Sequence, residues 1–191
     1  MKKVLQIALY ATVTAMLPFQ SCNKLTDVVK VPDVNFTGAS TDIVIPPTND
    51  TTDKVTIGQA SFSYNLDSMI KAQTNGAVGY SSIKSVKITS ITLTLTDPST
   101  ANNFANFIYA AAAFNTDANS GGYPAYTIAY IDNNPDSYNP VLLPPIVDAT
   151  QDVKKYFSSN TTFYYTLAGK LRHPLTATLH CHVDITYDIG F

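Results

Sequence analysis

The chain contains no glutamate and no tryptophan, and its only arginine is Arg172. All 14 acidic residues are aspartate, while threonine occurs 24 times. Glutamate and arginine favour helices, whereas threonine favours strands and aspartate favours turns and caps. The composition therefore predicts an all-β protein. The absence of glutamate also removes the usual acid of many glycosidases, although aspartate pairs remain available for that chemistry.

Positive charge is scarce as well, with 12 Lys and Arg against 14 Asp. Without Lys2 and Lys3, which belong to the N-terminal segment described next, 10 basic residues face 14 acidic ones and the net charge is near −4. Binding to nucleic acid needs a basic footprint, and so does binding to anionic lipid headgroups. We therefore expect no nucleic-acid partner and no polybasic membrane contact.

The chain begins Met1-Lys2-Lys3, followed by an apolar run from Val4 to Leu17. This run is too short to cross a bilayer, which takes roughly 20 apolar residues, but it fits the hydrophobic region of a secretory signal. Removing the first 21 of the 191 residues leaves 170, enough for one domain with a substantial core.

The run is followed by Leu17-Pro18-Phe19-Gln20-Ser21-Cys22, which resembles a lipobox, the site at which a signal is cut before a lipidated cysteine. Ser21 and Cys22 match the usual pattern. Phe19 and Gln20 depart from it, and this looser form resembles lipoproteins of the Bacteroidota. The resemblance implies that residues 1–21 are removed and that lipid on Cys22 anchors the protein to the outer membrane. The anchored domain could lie on either the periplasmic face of that membrane or the cell surface, and the sequence leaves both alternatives open.

Several segments alternate between apolar and polar residues, as half-buried strands do. The clearest runs from Leu175 to Ile189 at the C-terminus. Two others, from Lys54 to Leu66 and from Ser85 to Asp97, change phase part-way, which predicts a β-bulge in each. We interpret residues 22–40 as a tether with room for one short strand and residues 41–191 as a single domain.

The remaining segments predict further strands at Phe104–Phe114, Tyr126–Ile131 and Thr161–Leu167. Two short helices are also expected, one capped by Asn65 or Asp67 and one capped by Asp148. Seven to nine strands in about 150 residues predict an antiparallel two-sheet β-sandwich of immunoglobulin-like or Greek-key type. The lipobox, the bulged strand at Ser85 and the long last strand together resemble uncharacterised Bacteroidota lipoproteins with predicted β-sandwich domains, and this resemblance implies no site.

Four tyrosines lie in the Gly- and Pro-rich stretch 119–145, where their flat amphipathic rings could contact a glycan or a partner protein. They are Tyr123, Tyr126, Tyr130 and Tyr138. Core packing is the competing explanation, because tyrosine is common inside β-sandwiches. A glycan-binding module or adhesin would need these rings to line a concave site.

Two sets of residues could hold a metal ion, although we expect neither a metal nor another cofactor. His180, His182 and Asp184 share the outward face of the last strand, and imidazoles two residues apart can bind zinc or copper. Asp132 and Asp136 flank a turn rich in the oxygen ligands that calcium prefers. A solvated polar face and an ordinary hairpin turn explain the same residues. Cys181 points to the opposite face and is expected in the core.

The sequence contains no recognisable catalytic motif, such as a nucleophile elbow, a phosphate-binding loop or a zinc-protease signature. We therefore expect a lipid-anchored, non-catalytic envelope protein that acts by binding or as an accessory subunit of an outer-membrane complex. The main alternative is the glycan-binding module. Two further readings stay open: a hydrolase with an aspartate pair, and a small outer-membrane β-barrel, suggested by the alternating strand that ends at Phe191.

Overall fold

A computed structural model describes residues 34–116, 126–157 and 161–191 of the chain. Within these ranges the chain forms eight strands and one α-helix, together with short 3₁₀ turns. The elements are β1 (Val34–Ile45), β2 (Val55–Tyr64), α1 (Leu66–Gln73), β3 (Ser85–Leu95), β4 (Phe107–Thr116), β5 (Tyr126–Asp132), β6 (Val141–Leu142), β7 (Thr161–Leu171) and β8 (Leu179–Gly190). β1 begins inside the segment that we interpreted as a tether.

The described strands form two antiparallel sheets of four strands each. The first sheet has the order β1-β8-β3-β6 and the second has the order β2-β7-β4-β5. Each pair β1/β2, β7/β8, β3/β4 and β5/β6 therefore occupies corresponding positions in the two sheets. This is the strand order of a jelly roll, a sandwich made of two Greek keys. The predicted antiparallel two-sheet sandwich is confirmed.

Strand β8 lies inside the first sheet, paired with β1 on one side and β3 on the other. Its residues alternate between buried and partly or fully exposed along its length, as the sequence predicted. The inward side chains are Leu179, Cys181, Val183, Ile185, Tyr187 and Ile189. Leu175 lies before the strand and forms an isolated bridge with Thr48.

Both predicted bulges are present, between Thr56 and Gly58 in β2 and between Ile88 and Ser90 in β3. Gly58 lies against Ile43 and Val44 of β1 in the other sheet. A Cβ atom at this position would lie 2.3 Å from the Ile43 Cγ2 atom. Glycine at the bulge therefore lets the two sheets approach each other along this side of the sandwich.

Helix α1 begins at Leu66, and the Asn65 side chain caps it by accepting a hydrogen bond from the Ser68 N–H at 2.7 Å. The helix buries Leu66 and Ile70. Its exposed side carries an ion pair between Lys71 and Asp67 at 2.6 Å, and the Lys71 ammonium is the main cause that holds the pKa of Asp67 below its usual value. The first predicted helix is thus confirmed together with one of its two proposed caps.

The second predicted helix is wrong, because this segment forms only a 3₁₀ turn at Lys154–Tyr156. Asp148 accepts hydrogen bonds from the backbone N–H and the hydroxyl of Thr150 and so closes a local turn instead of capping a helix. Five residues later, the Val153 N–H donates to the Val86 carbonyl at 2.7 Å. This bond holds the segment against β3, and the tertiary contact overrides the helical spacing.

The sheets enclose a core that is rich in aromatic rings near the ends of β4 and β7. Phe114 contacts Tyr156 edge-on, with ring centroids 5.0 Å apart, and Phe163 contacts Phe157 at 4.9 Å. The hydroxyls of Tyr165 and Tyr187 join the two sheets through a buried hydrogen bond of 2.8 Å. Burial raises the pKa of Tyr187, which keeps this hydroxyl protonated.

Candidate functional site

Four inter-strand connections meet at one end of the sandwich, which we call the loop end. Because all pairings are antiparallel and consecutive strands mostly switch sheets, the β1–β2, β3–β4, β5–β6 and β7–β8 connections all lie there. Direct contacts join them: Thr48 bridges to Leu175, and Phe104 N–H donates to the Asn139 carbonyl at 3.0 Å. The loop end is therefore one connected surface rather than four separate loops.

Buried asparagines hold these connections together. The Asn106 amide donates to the carbonyls of Ala101 at 3.0 Å and Pro174 at 3.1 Å, and its carbonyl oxygen accepts from the Asn103 N–H at 2.9 Å. The Asn102 side chain likewise bonds to the backbone N–H of Thr176 at 2.8 Å. Buried polar groups must be hydrogen-bonded, and here the asparagines satisfy backbone groups that no strand pairs.

Asn134 extends this network into the β5–β6 connection. Its side chain is 1% exposed and donates to the Phe104 carbonyl at 2.7 Å and the Phe107 carbonyl at 3.2 Å. The preceding residue, Asn133, adopts the left-handed backbone conformation (φ 58°) that a tight turn requires. Arg172 donates to the Asn134 carbonyl at 2.7 Å, so the only arginine of the chain is held within the same network.

Charged side chains lie at the surface above this network. The Nη1 atom of Arg172 is 3.7 Å from a carboxylate oxygen of Asp136, and the Nε2 atom of His173 is 3.2 Å from the other oxygen. Asp136 and His173 both have side chains that are 56% exposed, so solvent screens this contact. A ligand could therefore reach both groups.

Asp136 and His173 line a groove of about 390 Å³, which we call the loop-end groove. Its walls come from the β3–β4, β5–β6 and β7–β8 connections and include Asn103, Asn106, Asp136, Ser137, Tyr138 and His173. The Tyr138 ring is 55% exposed. Across the part of the chain that the structure describes, the hydroxyls of Ser137 and Tyr138 have no hydrogen-bond partner.

A second surface feature lies along the side of the sandwich formed by β5 and β6, which we call the β5–β6 edge. Here the segment 145–147 runs beside β5: the Tyr130 N–H donates to the Pro145 carbonyl at 3.2 Å, and the Val147 N–H donates to the Ile128 carbonyl at 3.0 Å. Four large apolar side chains are exposed along this edge, namely Tyr130 (47%), Val141 (39%), Leu143 (66%) and Val147 (47%).

The structure describes three of the four predicted tyrosines and does not bring these three together. Tyr126 packs against Phe114 and Tyr156, and burial is the main cause that raises its pKa, so it belongs to the core periphery. Tyr130 lies on the β5–β6 edge, and Tyr138 lies in the loop-end groove. Tyr123 falls outside the described residues, as does Cys22.

The polar side chains of the last strand lie on the outer face of the first sheet, where aspartates of neighbouring segments pair with them. The His180 Nδ1 atom is 2.7 Å from Asp97, and the His182 Nδ1 atom is 2.7 Å from Asp42. Asp184 lies 3.3 Å from the Nε2 atom of His182. The hydrogen bond to Asp42 is the main cause that raises the pKa of His182, and the bond from the backbone N–H of His180 is the main cause that lowers the pKa of Asp97.

Neither predicted metal set forms a binding site within the described ranges, since no group of three or more His, Cys or Asp residues there could hold an ion. Both nitrogens of His182 already face carboxylates. Asp136 is paired with Arg172 and His173, and Asp132 does not line the groove with it. Cys181 is fully buried, and burial raises its pKa to about 12, as expected for a thiol of the core.

The sequence did not predict the loop-end groove as an assembled site. Arg172 stood out only as the single arginine of the chain, and the local sequence around His173 and Ser137 gave no indication of a site. The nearest hint was the pair Asn102-Asn103 followed by Asn106, since asparagines this close together favour turns and caps.

Comparisons with known proteins add no family to these observations. No protein-family model matches the chain, and no curated protein matches it significantly. Among the described residues, no helix is both long and apolar enough to cross a membrane.

Proposed function

We propose that this protein is a lipid-anchored, non-catalytic accessory subunit of an outer-membrane complex, and that the β5–β6 edge contacts its partner. The observation that carries the proposal is the distribution of exposed apolar side chains. Within the described ranges, seven large hydrophobic residues are exposed, and four of them lie on the β5–β6 edge. Scattered exposed hydrophobic residues are ordinary, whereas a cluster marks an interaction surface.

The backbone of the edge supports the same proposal. Pro144 and Pro145 have no N–H to offer, and segment 145–147 already pairs with β5, so this side of the second sheet is poorly suited to adding another strand. The partner would therefore bind through side chains. Tyr130 and Val147 line a cleft of about 390 Å³ into which an apolar side chain of the partner would fit.

Anchoring through Cys22 is part of the proposal and rests on the lipobox-like segment that precedes it. A lipid anchor confines the domain to the membrane surface, where an envelope protein is present at high effective concentration. A modest apolar patch can then support an association that would be weak in solution.

The test is purification of the tagged full-length protein from its native membrane in mild detergent, followed by mass spectrometry of what accompanies it. The double variant Leu143→Ser/Val147→Ser removes two of the four exposed apolar side chains of the edge, and Val44→Ser serves as the matched control because Val44 is 53% exposed on β1, the strand at the opposite edge of the first sheet from β6. We expect a stoichiometric partner with the wild type and the control, and at least about tenfold less of it with the double variant. Isolation of the wild type alone, or equal recovery with all three, would contradict the proposal.

A further inference from the structure

The loop-end groove has a base that is already fixed before any ligand binds. The side chains of Asn103 and Asn106 use their polar atoms on the surrounding backbone. They form a capping box, in which the Asn106 side chain accepts from the Asn103 N–H and the Asn103 side chain accepts from the Asn106 N–H, and Asn103 also accepts from the Ala105 N–H at 2.9 Å. A ligand would therefore not have to order these residues, which lowers the entropic cost of binding.

The accessible groups of the groove are of three kinds. Tyr138 offers an exposed aromatic ring, Ser137 and Tyr138 offer hydroxyls without a partner in the described structure, and Asp136 and His173 offer a carboxylate and an imidazole. The ring provides an apolar face, while the other groups both donate and accept hydrogen bonds. All of them line a single groove.

The chemistry of these groups selects one class of ligand. Arg172 is close to Asp136, so the groove carries no unopposed positive charge for an anion, and no metal-holding cluster exists among the described residues. A sugar has C–H faces that stack on an aromatic ring and hydroxyls that bond to carboxylate, imidazole and hydroxyl groups. The volume of about 390 Å³ falls within the range of small-molecule sites, which is about 300–1,000 Å³.

We propose that the loop-end groove binds a carbohydrate, with Tyr138 as the stacking platform and Asp136, Ser137 and His173 as hydrogen-bonding partners. Asp136 is the only carboxylate among the described residues that line the groove. Because glycoside hydrolysis ordinarily uses a pair of carboxylates, the groove binds its glycan without cleaving it. This site is separate from the β5–β6 edge and does not depend on the accessory-subunit proposal.

The test is binding of the full-length protein to an array of bacterial, plant and animal oligosaccharides, in a polyoxyethylene detergent because detergents with sugar headgroups would compete. The best-bound glycan is then titrated by calorimetry against Tyr138→Ala and Asp136→Asn. Tyr164→Ala is the matched control, since Tyr164 is 48% exposed on the outer face of the second sheet. Circular dichroism of each variant confirms that it is folded.

We expect Tyr138→Ala and Asp136→Asn each to weaken binding by about tenfold or more, with Tyr164→Ala and the edge variant Leu143→Ser/Val147→Ser unchanged. The proposal is overturned if the wild type binds no glycan on the array. It is also overturned if folded Tyr138→Ala binds as tightly as Tyr164→Ala does.

Discussion

The buried amide of Asn106 should be among the most sensitive positions of the chain. Asn106 is 5% exposed. Its side chain makes three hydrogen bonds, one with the Asn103 N–H and one with each of the carbonyls of Ala101 and Pro174. Asn106→Ala removes all three and leaves buried backbone groups without partners. At about 0.5–1.5 kcal/mol for each bond, the free energy of unfolding should fall by roughly 1.5–4.5 kcal/mol.

The measurement is denaturant unfolding followed by far-UV circular dichroism and by tyrosine fluorescence, which no tryptophan obscures. The matched control is Asn49→Ala, an exposed position in the β1–β2 connection, which should change the free energy of unfolding by less than about 0.5 kcal/mol. Equal stability of the two alanine variants would refute the claim that the asparagine network holds the loop end together.

Asn106→Asp sharpens the same test, because it preserves the shape of the side chain while an oxygen replaces the amide NH₂ donor. An ionised carboxylate here would place one negative oxygen, in the position of the Asn106 amide nitrogen, about 3 Å from two carbonyl oxygens, those of Ala101 and Pro174. Burial raises the pKa of such a carboxyl above its unfolded value, and the protonated form regains one donor. Stability should therefore be partly recovered as the pH falls below about 5, whereas Asn106→Ala should show no comparable recovery.

Three further predictions concern other parts of the fold. Gly58→Ala should destabilise the protein by about 1–3 kcal/mol, because the new Cβ would lie 2.3 Å from Ile43 Cγ2, and thermal unfolding measures the loss. The pKa of His182 should lie above that of an unfolded histidine and should fall in Asp42→Asn, as followed by NMR titration. Because this pKa is raised, the stability that the pair contributes is present below about pH 6.5 and is lost as the pH rises through the folded value. Cys181, with a pKa of about 12, should react with maleimide only when the protein unfolds.

Each of these has its own control. Gln59→Ala changes an exposed neighbour of Gly58 and should leave the melting temperature nearly unchanged. Asp136→Asn removes a carboxylate near His173 but not near His182, so the His182 titration should not move. Rapid labelling of Cys181 in the folded protein would show that the core around β8 is open, contrary to its 0% exposure.

Sequence patterns predicted the sandwich because its strands have one buried face. In β8 every second residue from Leu179 to Ile189 is buried, so the period of two is unbroken and readable. A phase change is just as readable, which is why the bulges at Gly58 and Ser90 could be expected. The strand order could not be predicted, since it depends on which strands pair across long separations in the sequence.

The loop-end groove could be predicted only in part. Tyr138 stood out as an aromatic residue in a turn-rich stretch, and it lies in the groove. The residues around it come from three connections, and a contact such as Asn102 to Thr176 joins positions 74 residues apart. No local spacing encodes such a meeting. Tyr126 shows the converse, because it carries the same local signal as Tyr138 but packs against Phe114.

The pairing of β1 with β8 has a consequence for how this protein is made. Val34 pairs with Ile189, and the ladders β1–β8 and β3–β8 both require the last strand. Pairing between residues so far apart in the sequence slows folding, because the entropic cost of closing a long loop comes before the strands gain any stabilising contact. The first sheet therefore cannot assemble until β8 has been synthesised. A chain truncated before Leu179 would lose the centre of that sheet, so premature termination should yield proteolysed fragments rather than a smaller folded domain.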